Sequence, residues 1–152
     1  MGKNIIIYFE GGIKTEIYHN NGILHEERWT DKEGELHREN GPSRVYYNSD
    51  GGIISEYWHI NGKSHRVDGP SYTSYTEDGI LFEEIWRIND SFHREDGPAV
   101  ICDRSIRPRA LWYINGNNIT EEVKDWIVKK KLPSWKEWTN KEKALFKLMF
   151  VK

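Results

Sequence analysis

One segment of this chain returns twice. His37-Arg38-Glu39-Asn40-Gly41-Pro42 recurs as His65-Arg66-Val67-Asp68-Gly69-Pro70 and as His93-Arg94-Glu95-Asp96-Gly97-Pro98, each copy 28 residues after the last. A fixed period in the range of roughly 20–50 residues marks supersecondary units that bury an apolar face only by stacking on their neighbours. The units carry a second landmark. Trp58-His59-Ile60-Asn61-Gly62 and Trp86-Arg87-Ile88-Asn89-Asp90 begin seven residues before the second and third copies. Trp112-Tyr113-Ile114-Asn115-Gly116 repeats that pattern with no His-Arg after it, and Trp29 opens the series one residue further from His37.

Between these landmarks the punctuation is that of hairpins. Ser71 to Thr76 runs into Asp78-Gly79, Ile80 to Ile88 follows, and Asn89-Asp90 ends the run. Asp-Gly and Asn-Gly between β-rich runs are hairpin turns. Alternation puts Ile54, Glu56, Trp58 and Ile60 on one face and Ile53, Ser55, Tyr57 and His59 on the other. Strands are expected near 4–10, 13–19, 23–30, 43–49, 53–60, 71–77, 81–88, 98–103 and 109–114, joined as an antiparallel meander. Gly41-Pro42, Gly69-Pro70 and Gly97-Pro98 read as turns in which Gly takes positive φ and Pro opens the next strand, where no ladder donor is needed.

After Gly116 the apolar period changes to that of a helix. Thr120 reads as an N-cap, Val123, Trp126 and Ile127 form an i, i+3, i+4 stripe, and Lys129-Lys130-Lys131 suits a helix C-terminus ahead of Pro133. Ser134 to Glu137 and Thr139 to Glu142 both fit the capping box, the second opening a helix with Leu145, Leu148 and Met149 on one side. The expected fold is mainly β with an α tail. Residues 1–118 form an antiparallel β-hairpin repeat array, and 119–152 form a helical cap packed on the last hairpin, hiding its edge strand.

Composition narrows the function. Hydrophobic residues make up 37% of the 152, but seven Trp, eight Tyr and five Phe supply large side chains for a thin core. One cysteine, Cys102, excludes an internal disulfide and any zinc site built on cysteines, and fits a reducing compartment. Ile5 to Phe9 is too short to span a membrane and lacks a cleavage site, so a cytoplasmic protein is expected. The net charge of −2 argues against nucleic-acid binding through bulk charge. It also hides a split: residues 1–118 hold 13 Lys and Arg against 19 Asp and Glu, and 119–152 hold nine against five.

The string Trp-x-x-Asn-Gly-x-x-His-Arg-x-x-Gly-Pro resembles the MORN-like and YwqK-type short hairpin repeats found in proteins of tailed phages and large DNA viruses. The resemblance covers about residues 12–118 and implies a hairpin array and a viral source, with no common enzymatic activity. The chain departs from the pattern at Val67, at Asp90 in place of Gly, and in its last unit.

Each candidate site has two readings. The pairs His37-Arg38, His65-Arg66 and His93-Arg94 could bind an anion such as a nucleotide phosphate. Alternatively they fix their turns through Arg-Glu pairs, with Glu27, Glu56 and Glu84 as partners, or through His-backbone bonds. Trp29, Trp58, Trp86 and Trp112 are core, or a stacking platform. Function is expected where the repeat breaks. Arg104, Arg107 and Arg109 around Pro108 form a basic loop, solvated or meeting an acidic partner. Lys129, Lys130 and Lys131 with Trp135 and Trp138 form either a partner surface or a helix end with its Trp residues buried. His19 and His25 read as surface residues and Cys102 as an inert small hydrophobe. There is no catalytic signature of the Gly-x-Ser-x-Gly, Walker or His-Glu-x-x-His kind, and no metal-spaced Cys set. The expectation is a non-enzymatic protein-binding module without cofactor that inhibits a host factor such as a defence protein, with self-association through sheet edges open. The alternative is a protein that sequesters a nucleotide or small anion.

Overall fold

The computed structural model describes residues 3–9, 11–103 and 109–151. Its strands are β1 (Asn4–Phe9), β2 (Gly12–Tyr18), β3 (Leu24–Thr30), β4 (Arg44–Tyr47), β5 (Ile53–Tyr57), β6 (His59–Ile60), β7 (Lys63–Ser64), β8 (Tyr72–Tyr75), β9 (Leu81–Ile85), β10 (Arg87–Ile88), β11 (Ser91–Phe92), β12 (Val100–Cys102), β13 (Arg109–Leu111), β14 (Tyr113–Ile114) and β15 (Asn117–Asn118). Nine of them form one antiparallel sheet in the order β1-β2-β3-β4-β5-β8-β9-β12-β13. The fold is mainly β, a meander followed by helices.

The runs 53–60, 81–88 and 109–114, expected as unbroken strands, each break at their tryptophan. The reason lies in where its two backbone groups point. The Trp58 N–H still donates to Ser71 in the sheet (2.8 Å), while its carbonyl turns to accept from the His65 N–H (3.0 Å). Trp86 repeats this with Ala99 and His93 (2.8 and 3.1 Å). The chain beyond each Trp then closes a second, two-residue hairpin: β6-β7, β10-β11 and β14-β15.

These short hairpins stack through their own bonds. The Arg38, Arg66 and Arg94 N–H groups donate to the carbonyls of His59, Arg87 and Tyr113 (3.1, 3.2 and 3.2 Å). Their tips need left-handed backbone, supplied by Asn61-Gly62 and Asn115-Gly116. Asp90 takes the same conformation at φ 68°, and its carboxylate accepts from the Ser64 N–H at 2.8 Å, offsetting part of that strain.

Helix α1 (Thr120–Lys130), a 3₁₀ turn (Trp135–Glu137) and α2 (Asn140–Phe150) follow. Thr120 is the first helical residue rather than the N-cap, because its hydroxyl is used to accept from the Trp112 N–H at 3.0 Å. Ser134 makes no capping bond, but Thr139 and Glu142 form the expected capping box. The core of the cap is Trp112, Ile114, Val123, Trp126, Trp138 and Phe146. The helices pack on Trp112 and Ile114; among the described residues they make no backbone hydrogen bond to β13, so they do not pair with its edge.

Candidate functional site

The His-Arg turns are built as sockets. Each guanidinium lies over its own unit's indole, with Arg38 on Trp29, Arg66 on Trp58 and Arg94 on Trp86 at 3.8, 3.8 and 3.9 Å from the ring centroid. Nη1 of each donates to the carbonyl of its Pro: Pro42, Pro70 and Pro98, at 3.2, 3.5 and 3.3 Å. Gly41, Gly69 and Gly97 are not at positive φ, contrary to the turn-geometry expectation. Their role is clearance. A Cβ on them would stand 2.8, 2.5 and 3.1 Å from the Arg Cζ, so a side chain there would crowd the guanidinium away from its place between backbone and indole.

The histidines join one unit to the next. Nδ1 of His37 and His93 accepts from the N–H of Asn61 and Asn115 (3.1 Å each), which places the proton of those two rings on Nε2, and Nδ1 of His65 lies 2.9 Å from Asn89 Oδ1 and 3.3 Å from the Asn89 N–H. Of the acid partners expected for the arginines, Glu27 and Glu56 are engaged elsewhere, and Glu84 forms no ion pair with Arg94 among the described residues. Glu27 accepts from Lys14 and from the Tyr47 hydroxyl (2.7 Å each), and Glu56 from Thr73 and Tyr75. Burial, with the Glu27 carboxylate beside it, holds the Tyr47 phenol well above the ordinary tyrosine range. Arg66 and Arg94 instead pair within their turns, with Asp68 at 3.1 Å and Asp96 at 2.8 Å. Shallow cavities of about 400 and 500 Å³ lie between the second and third and between the first and second turns, and another of about 500 Å³ lies between the first turn and Phe9, each floored in part by a Trp and an Arg.

The fourth unit is made differently. Ile119 donates its N–H to the Trp112 carbonyl (2.9 Å), as the His residues do in the other units, so Ile119-Thr120 occupies the His-Arg position. Among the described residues no guanidinium covers Trp112. Phe146 and Trp138 pack on it instead, at 4.9 and 5.2 Å between ring centroids. Lys143 and Lys147 of α2 reach back to Asp96 and Glu95 at 3.4 and 3.2 Å, tying the cap to the third His-Arg turn.

Trp138 is thus buried at 7% exposure and its Nε1 donates to the Pro133 carbonyl, while Trp135 is half-buried against the same cluster. Trp138 is removed from the expected partner surface because its indole is the core of the cap. Lys129, Lys130 and Lys131 are exposed. Arg109 is exposed on β13, and Arg104 and Arg107 lie outside the described residues.

The cap shows a feature the charges alone did not indicate. Between α1 and α2 runs a cleft of about 400 Å³ lined by Trp126, Lys130, Leu132, Leu145, Leu148 and Met149. Leu145, Leu148 and Met149 are 41, 82 and 55% exposed, because Phe146 and Phe150 form the inward face of α2. Their i, i+3, i+4 spacing is legible in the sequence; that it is a second apolar stripe, backing the first, is the signal that locates it.

Elsewhere, His19 and His25 are half-buried with ring centroids 4.4 Å apart, and Cys102 is buried. Among the described residues no group of three or more His, Cys, Asp or Glu is placed to hold a metal ion, and no helix is long and apolar enough to cross a membrane. No family model, curated protein or solved structure matches the chain.

Proposed function

We propose that the chain is a non-enzymatic protein-binding module whose cap receives an acidic amphipathic helix of a partner protein in the cleft between α1 and α2. The exposed stripe Leu145, Leu148 and Met149 carries this reading, since apolar side chains left 41, 82 and 55% exposed at that spacing, beside the helix face that packs on the core, form an open apolar surface. Charge supports it. Lys129, Lys130 and Lys131 stand exposed at the end of α1, and Lys130 lines the cleft, so carboxylates on the partner would be steered to its rim. The likeness of the repeats to those of phage and large-virus proteins makes a host cytoplasmic factor, such as a defence protein, the partner class we favour; that step is analogy of fold.

The test is fluorescence anisotropy with a synthetic helical peptide carrying Leu at i, i+3, i+4 and i+7 and Glu on its other face. Binding should weaken with salt, and by tenfold or more in Leu148→Asp and in the triple Lys129→Glu, Lys130→Glu, Lys131→Glu variant. A peptide that ignores the cleft, or binds Leu148→Asp as well as the parent, removes the cap from the site.

A further inference from the structure

We propose that β1 pairs with β1 of a second copy of this chain, joining two arrays into one continuous sheet across a two-fold axis at Ile6. The observation is an edge strand without protection. β1 runs from Asn4 to Phe9 with no charge, no Pro and no break in its register with β2. Ile6, Ile7, Tyr8 and Phe9 are 55, 42, 75 and 47% exposed, on both faces of the strand. Edges that stay single are short, bulged, charged or covered. The opposite edge, β13, has three described residues and opens on Arg109.

The hydrogen-bond phase fixes the register. The Tyr18 N–H donates to the Lys3 carbonyl at 2.8 Å, and Asn4 lies opposite Ile17. Lys3, Ile5, Ile7 and Phe9 therefore turn their backbone groups toward β2, and Asn4, Ile6 and Tyr8 turn theirs outward. Only an antiparallel pairing centred on Ile6 uses all three outward residues: Ile6 meets Ile6 of the other copy, and each Asn4 meets a Tyr8. Ile5 then faces Ile7 across the closer, non-bonded pairs, and the strand brings no charge to repel itself. The four exposed side chains of two copies together carry on the order of 1,000 Å², of which an edge pairing buries only the flanks, so the interface is small and its affinity modest. A second copy thus satisfies the outward backbone groups and sets the side chains of the two strands flank to flank with one symmetric contact.

Analytical ultracentrifugation of the full chain over about 1–100 μM, the range suited to so small an interface, should show a monomer–dimer equilibrium. Ile6→Lys and, independently, Tyr8→Lys should raise its dissociation constant by tenfold or more while leaving the thermal unfolding curve in place. Ile6→Cys should cross-link to a covalent dimer on mild oxidation, since directly opposed Cα atoms of a bonded pair lie about 5.5 Å apart, within disulfide reach. A chain that stays monomeric throughout overturns the proposal, as does a dimer that survives both lysine variants, fails to cross-link through Ile6→Cys, or is lost in Leu148→Asp instead.

Discussion

At the scale of single residues, the repeated hexapeptide is explained by the space one guanidinium occupies. Arg66 lies between the Trp58 indole and the backbone of Gly69, with Asp68 and Pro70 accepting from it, so three of the other five motif positions serve one side chain. The two substitutions that disturb it must therefore interact. A stacked cation of this kind contributes about 0.5–2 kcal/mol. Arg66→Ala removes it outright, and Gly69→Ala displaces it, because the new methyl would sit 2.5 Å from Cζ. Each variant should lose roughly 1–2 kcal/mol in urea unfolding, and the double variant should lose little more than Arg66→Ala alone. Additive losses would mean that Gly69 serves the turn by some other route.

At the scale of elements, α2 has two apolar stripes with opposite fates. Phe146 is fully enclosed by Trp112, Trp126 and Trp138, whereas Leu148 is 82% exposed. Phe146→Ala should cost about 3–5 kcal/mol of stability. Leu148→Ala should fall within about 0.5 kcal/mol of the parent by the same unfolding measurement.

Which stripe faces inward was not legible from spacing, since both have helical period; the choice is made by Trp112, which offers aromatic rings something flat to pack on. The strands of the sheet were legible because Asp-Gly, Asn-Gly or Gly-Pro marks six of its eight reversals. The breaks at Trp58 and Trp86 were not, because alternation of side chains continues through a residue whose carbonyl alone has turned away. Likewise the Gly of each turn looked conformational in one dimension, and its contact with an arginine three residues earlier exists only once the turn has closed. The charge of the cap was readable, but the cleft beside it depends on how α1 and α2 meet.

At the scale of the whole molecule, stability should fall in two steps as the solution is acidified. Burial is the main cause that depresses the His59 pKa below the ordinary histidine value of 6.5; Arg44 and Arg87 push the same way, against Asp90. The unfolded chain then takes up this proton first, so the contribution of neutral His59 is complete above about pH 6.5 and declines below it. The second step involves Asp96. Burial pushes its carboxyl up, but the Arg94 hydrogen bond and the nearby Lys143 outweigh it and hold the group below its ordinary 3.8, so that contribution is present above that pH and lost beneath it. Urea midpoints measured from pH 8 to pH 3 should show both slopes, and His59→Phe should flatten the upper one alone.

The substitution of Ile119-Thr120 for His-Arg, with an aromatic lid over Trp112 in place of a cation, separates growth from termination. Everything that ends the column is gathered downstream of Asn118, and everything that extends it is contained in 28 consecutive residues. Duplicating one such stretch would lengthen the column by two main strands and one short hairpin without the lid having to change at all.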